Sequence, residues 1–361
     1  MVTESDGVIA LEPDSDLVLL SEPDAGAVTE FAVEPVLAEP VLNGEETLVG
    51  EPITTEPTTE APVKTSRAGR NLPAATAVGL GLLAVIALAL AFRPEPFVVL
   101  VAIVIGAGLW ELKEAFAHAK LDLPIWPLLA GMVAMVVSAF LWGSVALLTA
   151  FVATAAAVAI WQIAQAYLER TAISRREIVA GIFTAAYLPL MASFLILLLS
   201  QHNGNWRIAL LILLSVANDT GGYFAGVLFG KHPMAPTVSP KKSWEGFIGS
   251  VFLTTVIGIL GSRWLLGLPW TAPGRSGLVP SLFSSAIWLG ILLGLMTAVT
   301  STLGDLSESL LKRDLGIKDM GNILPGHGGI LDRCDSILFS APFVFLLLSI
   351  ADQHRIFQSI T

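Results

Sequence analysis

Nine long apolar runs constrain this chain more than any other feature of its sequence. Each is near the length that a helix needs to cross about 30 Å of hydrocarbon, and none alternates as the strands of a membrane barrel do. The mean hydropathy of +0.74 also shows that the chain has more apolar surface than one soluble core could bury. We therefore predict an all-α polytopic membrane protein with about nine transmembrane helices, at 72–92, 97–112, 124–142, 145–167, 178–200, 207–229, 247–266, 284–304 and 336–351. The second and last runs are short, which suggests less tilt or partial burial in protein.

The first 70 residues differ from the rest in composition. Residues 1–60 hold fifteen of the thirty acidic residues, none of the twenty Lys and Arg, and a single aromatic residue. Such a Pro-, Glu- and Thr-rich segment cannot bury enough apolar surface to fold, and it lacks the basic and apolar regions of a secretory signal. We predict a disordered acidic tail over 1–70 and a transmembrane domain over 71–361. The one cysteine, Cys334, excludes an intramolecular disulfide and a cysteine zinc cluster.

The distribution of Lys and Arg predicts the orientation of the chain. Alternating the nine runs across the bilayer puts fifteen basic residues on the side of the N-terminus and five on the other. Because cytoplasmic loops carry the excess of Lys and Arg, we expect the N-terminus inside and the C-terminus outside. Two polar loops, 230–246 and 305–335, then share the cytoplasmic face and could build one site between them.

The sixth run contains an acidic residue within "NDTGGYFAG", residues 218–226. An ionised carboxylate inside a span costs a few kcal/mol, so Asp219 should face a cavity, a partner or a cation. Gly222 and Gly226 also form a small-xxx-small pair, which is typical of helix packing. Packing alone explains the glycines and leaves Asp219 without a partner.

A second polar stretch, "SPKKSWEG", covers residues 239–246. Ser239 and Pro240 are typical of an N-cap and a first helical position, which would put Lys241 and Lys242 in the first helical turn. The helix dipole repels cations there, and a bound phosphate would resolve the conflict. The alternative is a basic flank that reaches the lipid headgroups.

The third stretch runs from "STLGDLSESLLKRD", 301–314, into "KDMGNILPGHGGILDRCDS", 318–336. In a helix, Asp305, Ser309 and Lys312 lie on one side, while Glu308 and Lys312 could form an i,i+4 salt bridge. The stretch therefore predicts a polar face on the eighth transmembrane helix.

Glycines and paired acids follow that helix. The glycines around His327 permit close approach of backbone N–H groups to an anion, and we interpret His327 as a phosphate donor. Asp332 and Asp335 lie one helical turn apart and offer the oxygen ligands that Mg²⁺ prefers. An ordinary charged loop beside the membrane is the alternative, but it needs no such arrangement.

These residues resemble the signature of the phosphatidate cytidylyltransferases, or CDP-diacylglycerol synthases, over roughly 72–351. "NDTGGYFAG" and "SPKKSWEG" are similar to two further stretches of that family. Cys334 stands where an aliphatic or aromatic residue is more common, and Gly222 where alanine is common; neither departure removes a charge. The matching signature positions are Ser309, Lys312, Arg313, Lys318, Asp319, Pro325, His327, Gly328, Gly329, Asp332, Arg333 and Asp335.

The resemblance implies that CTP and phosphatidic acid give CDP-diacylglycerol and pyrophosphate, with Mg²⁺. The presence and identity of a second cation stay open. It implies a multi-pass protein of the cell membrane with a cytoplasmic site, surrounded by membrane lipids and without a nucleic-acid partner. Small-residue helix faces permit a homodimer. On this interpretation Asp219, Asp305, Asp332 and Asp335 bind metal. Phosphates contact Lys241, Lys242, Lys312, Arg313, Lys318 and His327, together with Ser239, Gly328 and Gly329. Arg333 touches substrate or orients the acids beside it.

Two other functions fit parts of the pattern. A CTP-dependent polyprenol or dolichol kinase also combines CTP with a lipid, but it would release CDP. An ion-coupled transporter would use Asp219 as an ion site and gives no reason for the glycine-rich loop. The motif of the CDP-alcohol phosphotransferases does not occur in the sequence.

Overall fold

The computed structural model describes residues 72–91, 93–268, 285–321 and 329–360. The predicted tail, 1–70, lies outside these residues, as do Pro325, His327 and Gly328. Helices dominate the described part, with one π-helical segment at Ala186–Leu190 and two short strands, β1 (Pro233–Ala235) and β2 (Ser239–Ser243). The α-helices are α1 (Leu72–Ala91), α2 (Pro94–His118), α3 (Ile125–Trp142), α4 (Ser144–Glu169), α5 (Arg175–Ala185), α6 (Met191–Leu199), α7 (Gly204–Phe229), α8 (Trp244–Trp264), α9 (Ser285–Asp314) and α10 (Leu331–Ile360).

The helices confirm the predicted all-α membrane architecture. Within the described residues, eight helical segments are long and apolar enough to cross a membrane, and α5, the π-helical segment and α6 together form one of them. Helix α1 coincides with the first predicted run but is not among these eight. The second and last apolar runs lie within longer helices, because α2 has 25 residues and α10 has 30. Polar residues at the ends of both runs continue the helix.

Local sequence explains where several helices begin and break. Pro94 occupies the first position of α2, where its missing N–H costs no hydrogen bond. Gly143 joins α3 directly to α4 with a φ of +83°, a conformation that glycine adopts without strain. Pro189 lies in the π-helical segment, where it cannot donate the hydrogen bond of a regular helix.

Helices α7, α8, α9 and α10 pack side by side, each against the next. Glycines allow the close approach of α8 and α9: a Cβ at Gly258 or Gly294 would overlap the backbone of the facing helix. The Thr254 hydroxyl donates a hydrogen bond of 2.9 Å to the Gly294 carbonyl across this contact. The four helices therefore hold their polar ends in a fixed relation.

The prediction that a helix starts at Ser239 is wrong. Residues Ser239–Ser243 form β2, which pairs antiparallel with β1. Helix α8 begins four residues later than expected, where the Ser243 side chain accepts a hydrogen bond from the Gly246 N–H at 3.1 Å. Lys241 and Lys242 thus lie on a strand and not in the first turn of a helix.

Candidate active site

Two adjoining cavities open where α7, α9 and α10 meet β2. The first, of about 230 Å³, is lined by β2, by the start of α8 and by α7 residues from Asn218 to Tyr223. The second, of about 320 Å³, is lined mainly by charged residues of α9 and α10. Asp219, Lys242 and Asp305 line both cavities. These three residues form the wall that the cavities share.

Lys242 and Asp305 join the two polar loops of the chain. The Lys242 ammonium lies 2.5 Å from Oδ2 of Asp305, across 63 residues of sequence. The other oxygen of Asp305 accepts a hydrogen bond from the buried Ser336 hydroxyl of α10. The loops 230–246 and 305–335 therefore meet, and one carboxylate links β2, α9 and α10.

Lys312 forms a second link between α9 and α10. Its ammonium lies 2.8 Å from Asp332 of α10 and 3.4 Å from Glu308, one turn earlier on α9. Asp305, Ser309 and Lys312 all line the second cavity, so the polar face predicted for this helix is present. The i,i+4 salt bridge considered from the sequence is also present.

Two backbone N–H groups that precede α10 in the sequence donate hydrogen bonds to Asp332. Its Oδ2 accepts hydrogen bonds from the N–H groups of Gly329, at 2.9 Å, and Met320, at 3.3 Å. The other oxygen takes the Lys312 ammonium. Asp332 therefore orders the chain around it as well as contributing charge to the cavity.

The strand that carries Lys242 is anchored at its base by Glu245. One carboxylate oxygen accepts from the N–H groups of Lys231 and His232, at 3.1 and 3.2 Å, and the other lies 2.6 Å from the His232 ring. Ser243 and Glu245 together hold the hairpin against the start of α8.

A divalent cation fits the donor set of the second cavity. Counted as ionised, five acids face three bases there: Asp219, Asp305, Glu308, Asp332 and Asp335 against Lys242, Lys312 and Arg333. Oε1 of Glu308 is buried and has no hydrogen-bond partner among the residues that the structure describes. Among the described residues no three acidic, His or Cys side chains converge closely enough to hold a metal alone. A Mg²⁺ ion bound here would therefore have to complete its shell with substrate phosphates and water.

The sequence-predicted residues divide into three groups. Asp219, Lys242, Asp305, Lys312, Asp332, Arg333 and Asp335 line the second cavity, and Lys241 lines the first. Arg313 and Lys318 are exposed and line neither cavity. Ser239 lies on β2 outside both linings, while Gly329 donates to Asp332. His327 and Gly328 fall outside the described residues.

Sequence reasoning missed two acids and one hydroxyl. Glu111 of α2 is fully buried beside the start of α10, and an acid inside a transmembrane run was the available signal. Glu308 was interpreted only as an ion-pair partner, although it shares the face of α9 that carries Asp305 and Lys312. Ser336 had no distinguishing pattern around it.

The helices that build this site coincide with a known family profile. The profile of the cytidylyltransferase family matches residues 73–351. A phosphatidate cytidylyltransferase of Mycobacterium leprae is 40% identical over 298 residues, which cover 79% of this chain and 90% of that protein. The phosphatidate cytidylyltransferase of Mycobacterium tuberculosis H37Rv is 38% identical over 82% of this chain and 86% of its own length. That of Bacillus subtilis is 42% identical over a shorter region, 37% of this chain and 44% of that protein. Match length, identity and a polar site within the matched region lead to one conclusion: the chain belongs to the cytidylyltransferase family.

Proposed function

We propose that the chain is a phosphatidate cytidylyltransferase, which transfers CMP from CTP to phosphatidic acid. An oxygen of the lipid phosphate attacks the α-phosphorus of CTP and forms a new P–O bond. The bond from that phosphorus to the β-phosphate bridge breaks, and its electron pair leaves with pyrophosphate. The nucleophile is already an ionised phosphate oxygen, so the step requires no serine or histidine nucleophile. The observation that carries the proposal is the pair of adjoining cavities with a shared wall of Asp219, Lys242 and Asp305.

We assign the first cavity to the nucleotide. Lys241 and Lys242 supply two positive charges from one strand, while Tyr223 and Phe247 offer aromatic surface. A base can stack on such rings, and ammonium groups bind phosphate as point charges. The shared wall would then face the triphosphate and set where the bond breaks.

We assign the second cavity to the reacting phosphates and to Mg²⁺. The carboxylates that line it would repel an anionic substrate unless a cation entered with it. Asp305, Asp332 and Asp335 are the residues that would hold the ion, with Asp219 on the wall. When bound, Mg²⁺ would offset the charge of the phosphates in the ground and transition states. Lys312 and Arg333 are positively charged and would contact the phosphates directly.

An apolar cavity beside the second one suits the lipid. It has a volume of about 180 Å³ and lies among α2, α6, α7 and α10, with walls that include Val104, Ala192 and Ile337. Arg333 lines both this cavity and the charged one. A phosphate near Arg333 could therefore remain attached to an acyl chain that extends between apolar helices.

Filling the apolar cavity tests this assignment. We expect Val104→Trp to raise the KM for long-chain phosphatidic acid about 10-fold and to affect a short-chain lipid less, because the indole would occupy space for the chain. The KM for CTP should stay unchanged. Ile103→Trp is the matched control, since Ile103 is 64% exposed on the same helix and lines no part of the cavity. Equal effects on both chain lengths would contradict the assignment.

The reaction itself is tested with detergent-purified full chain, labelled CTP, phosphatidic acid and Mg²⁺. Lipid chromatography should show cytidine label on the lipid, with one pyrophosphate released per product. Release of CDP with a phosphorylated lipid would instead identify a CTP-dependent lipid kinase. Turnover that persists after chelation of divalent cations would contradict the assigned role of Mg²⁺.

The orientation belongs to the same proposal. The 15 to 5 distribution of basic residues supports a cytoplasmic position for the hairpin and for the polar ends of α9 and α10. In a cell membrane, that face would give the site access to soluble CTP while the lipid arrives from the bilayer. A homodimer stays a prediction from the small-residue helix faces.

A further inference from the structure

Glu111 of α2 makes a contact that no sequence motif predicts. The side chain is fully buried, and its two oxygens accept hydrogen bonds from consecutive backbone N–H groups, Ile330 at 2.8 Å and Leu331 at 3.0 Å. These N–H groups open α10, where a helix leaves its first donors without intrahelical partners. A carboxylate at that end is also favoured by the helix dipole. Glu111 is thus an N-terminal cap supplied by a distant helix.

The backbone on both sides of this contact is shaped to admit the carboxylate. A Cβ at Gly321 would lie 2.6 Å from Oε1 of Glu111, and one at Gly329 would lie 2.9 Å from Oε2. Real Cβ atoms do not approach that closely. A larger residue at either position would therefore force the Glu111 carboxylate to shift. Gly329 thus lies beside two carboxylates, because it donates its N–H to Asp332 and approaches Glu111 closely.

The contact fixes which way α10 faces. Asp332 and Asp335 lie in the first two turns of α10, so a rotation of this end of the helix would change how they face α9. Two hydrogen bonds to adjacent N–H groups hold the first turn against such a rotation. Glu111 itself lines none of the cavities described above. Its influence on the site must therefore pass through α10.

We propose that Glu111 is a positioning residue for the reaction: it sets the rotation of α10 that brings Asp332 and Asp335 against Asp305 and Lys312. The kinetic test of this inference rests on the proposed function. The structural test, by hydrogen exchange, rests only on the hydrogen bonds of Glu111. A neutral amide cannot reproduce the contact, because it has one acceptor oxygen for two N–H donors and its NH₂ group would oppose the second.

The test compares Glu111→Gln with wild type as purified full-length proteins. We expect kcat to fall about 10- to 100-fold, the range typical of residues that orient metal-binding groups, and the Mg²⁺ concentration for half-maximal rate to rise. Hydrogen exchange of the Ile330 and Leu331 amides should become faster. Glu111→Asp keeps the charge on a shorter side chain and should recover part of both effects.

Two controls separate positioning from general damage. Glu114→Gln changes an exposed acid on the same helix, whose partner is Trp110 Nε1 at 2.8 Å, and should match wild type. Leu109→Ala removes a fully buried side chain of α2 and should lower the unfolding midpoint without changing the Mg²⁺ requirement. The proposal is overturned if Glu111→Gln leaves amide exchange and the Mg²⁺ requirement at wild-type values, whatever its effect on rate. If wild type transfers no CMP, the proposed function fails, while the exchange measurement still decides whether Glu111 holds α10.

Discussion

Replacing Asp305 by asparagine is expected to lower the rate of CMP transfer by at least about 100-fold, the loss typical when one group that stabilises transition-state charge is removed. Both neighbours of this carboxylate are donors, the Lys242 ammonium and the Ser336 hydroxyl. An amide has only one acceptor oxygen, so one donor would face its NH₂ group. The variant would also lose one of the oxygens assigned to Mg²⁺. Rates of pyrophosphate release and of label transfer to lipid measure the effect.

Asp314→Asn is the matched control for this experiment. Asp314 ends the same helix, is exposed, and lines neither charged cavity. It should keep wild-type rates. An unfolding midpoint within a few degrees of wild type for Asp305→Asn would show that the loss arises in the site. Near-normal turnover by Asp305→Asn would remove this residue from the reaction and, with it, the shared wall as the place where the bond breaks.

The meeting of the two polar loops could be predicted because membrane topology is a strong constraint. Once the apolar runs alternate across the bilayer, every loop has a side, and loops 230–246 and 305–335 share one. Helical periodicity then predicts that Asp305 and Lys312 face the same way. The short separation of Asp332 and Asp335 predicts a shared turn for the same reason. These inferences use only local geometry and the bilayer.

The start of α8 could not be read from local pattern. Ser239 followed by Pro240 and Ser243 followed by Trp-Glu-Gly are both acceptable helix starts. The pairing of β2 with β1 decides between them, since it draws Ser239–Ser243 into a strand, and the anchoring of Glu245 at residues 231 and 232 holds that strand in place. These contacts join residues up to 14 positions apart, and they override the preference of a single Ser-Pro pair.

The contact of Glu111 with the start of α10 also could not be predicted from the sequence. Its partner Ile330 is 219 residues away, so no spacing rule connects them. The only local signal was an acid near the end of a transmembrane run, and acids at such ends also occur as plain interfacial residues. Glu308 differs, because its position on the polar face of α9 could have placed it in the site from periodicity alone.

Close packing of α8 on α9 is expected to be necessary for both stability and activity. In Gly294→Val a Cβ would lie 2.8 Å from the carbonyl carbon of Thr254 and nearer still to the Thr255 backbone. The helices would have to separate, which would break the hydrogen bond from Thr254 to the Gly294 carbonyl. Overpacking of this kind costs about 1–3 kcal/mol, so the unfolding midpoint in detergent should fall.

The rate of CMP transfer should fall together with the unfolding midpoint, because Lys242 lies just before α8 and Asp305 lies on α9. Any separation of the two helices therefore lengthens the 2.5 Å contact between their side chains. Gly106→Val on α2 is the matched control, since a Cβ there would meet nothing within 4 Å, and it should keep both stability and rate. If Gly294→Val matched this control in both measurements, the glycine contact would not be what holds Lys242 against Asp305. The hairpin anchored by Glu245 would then have to carry that role alone.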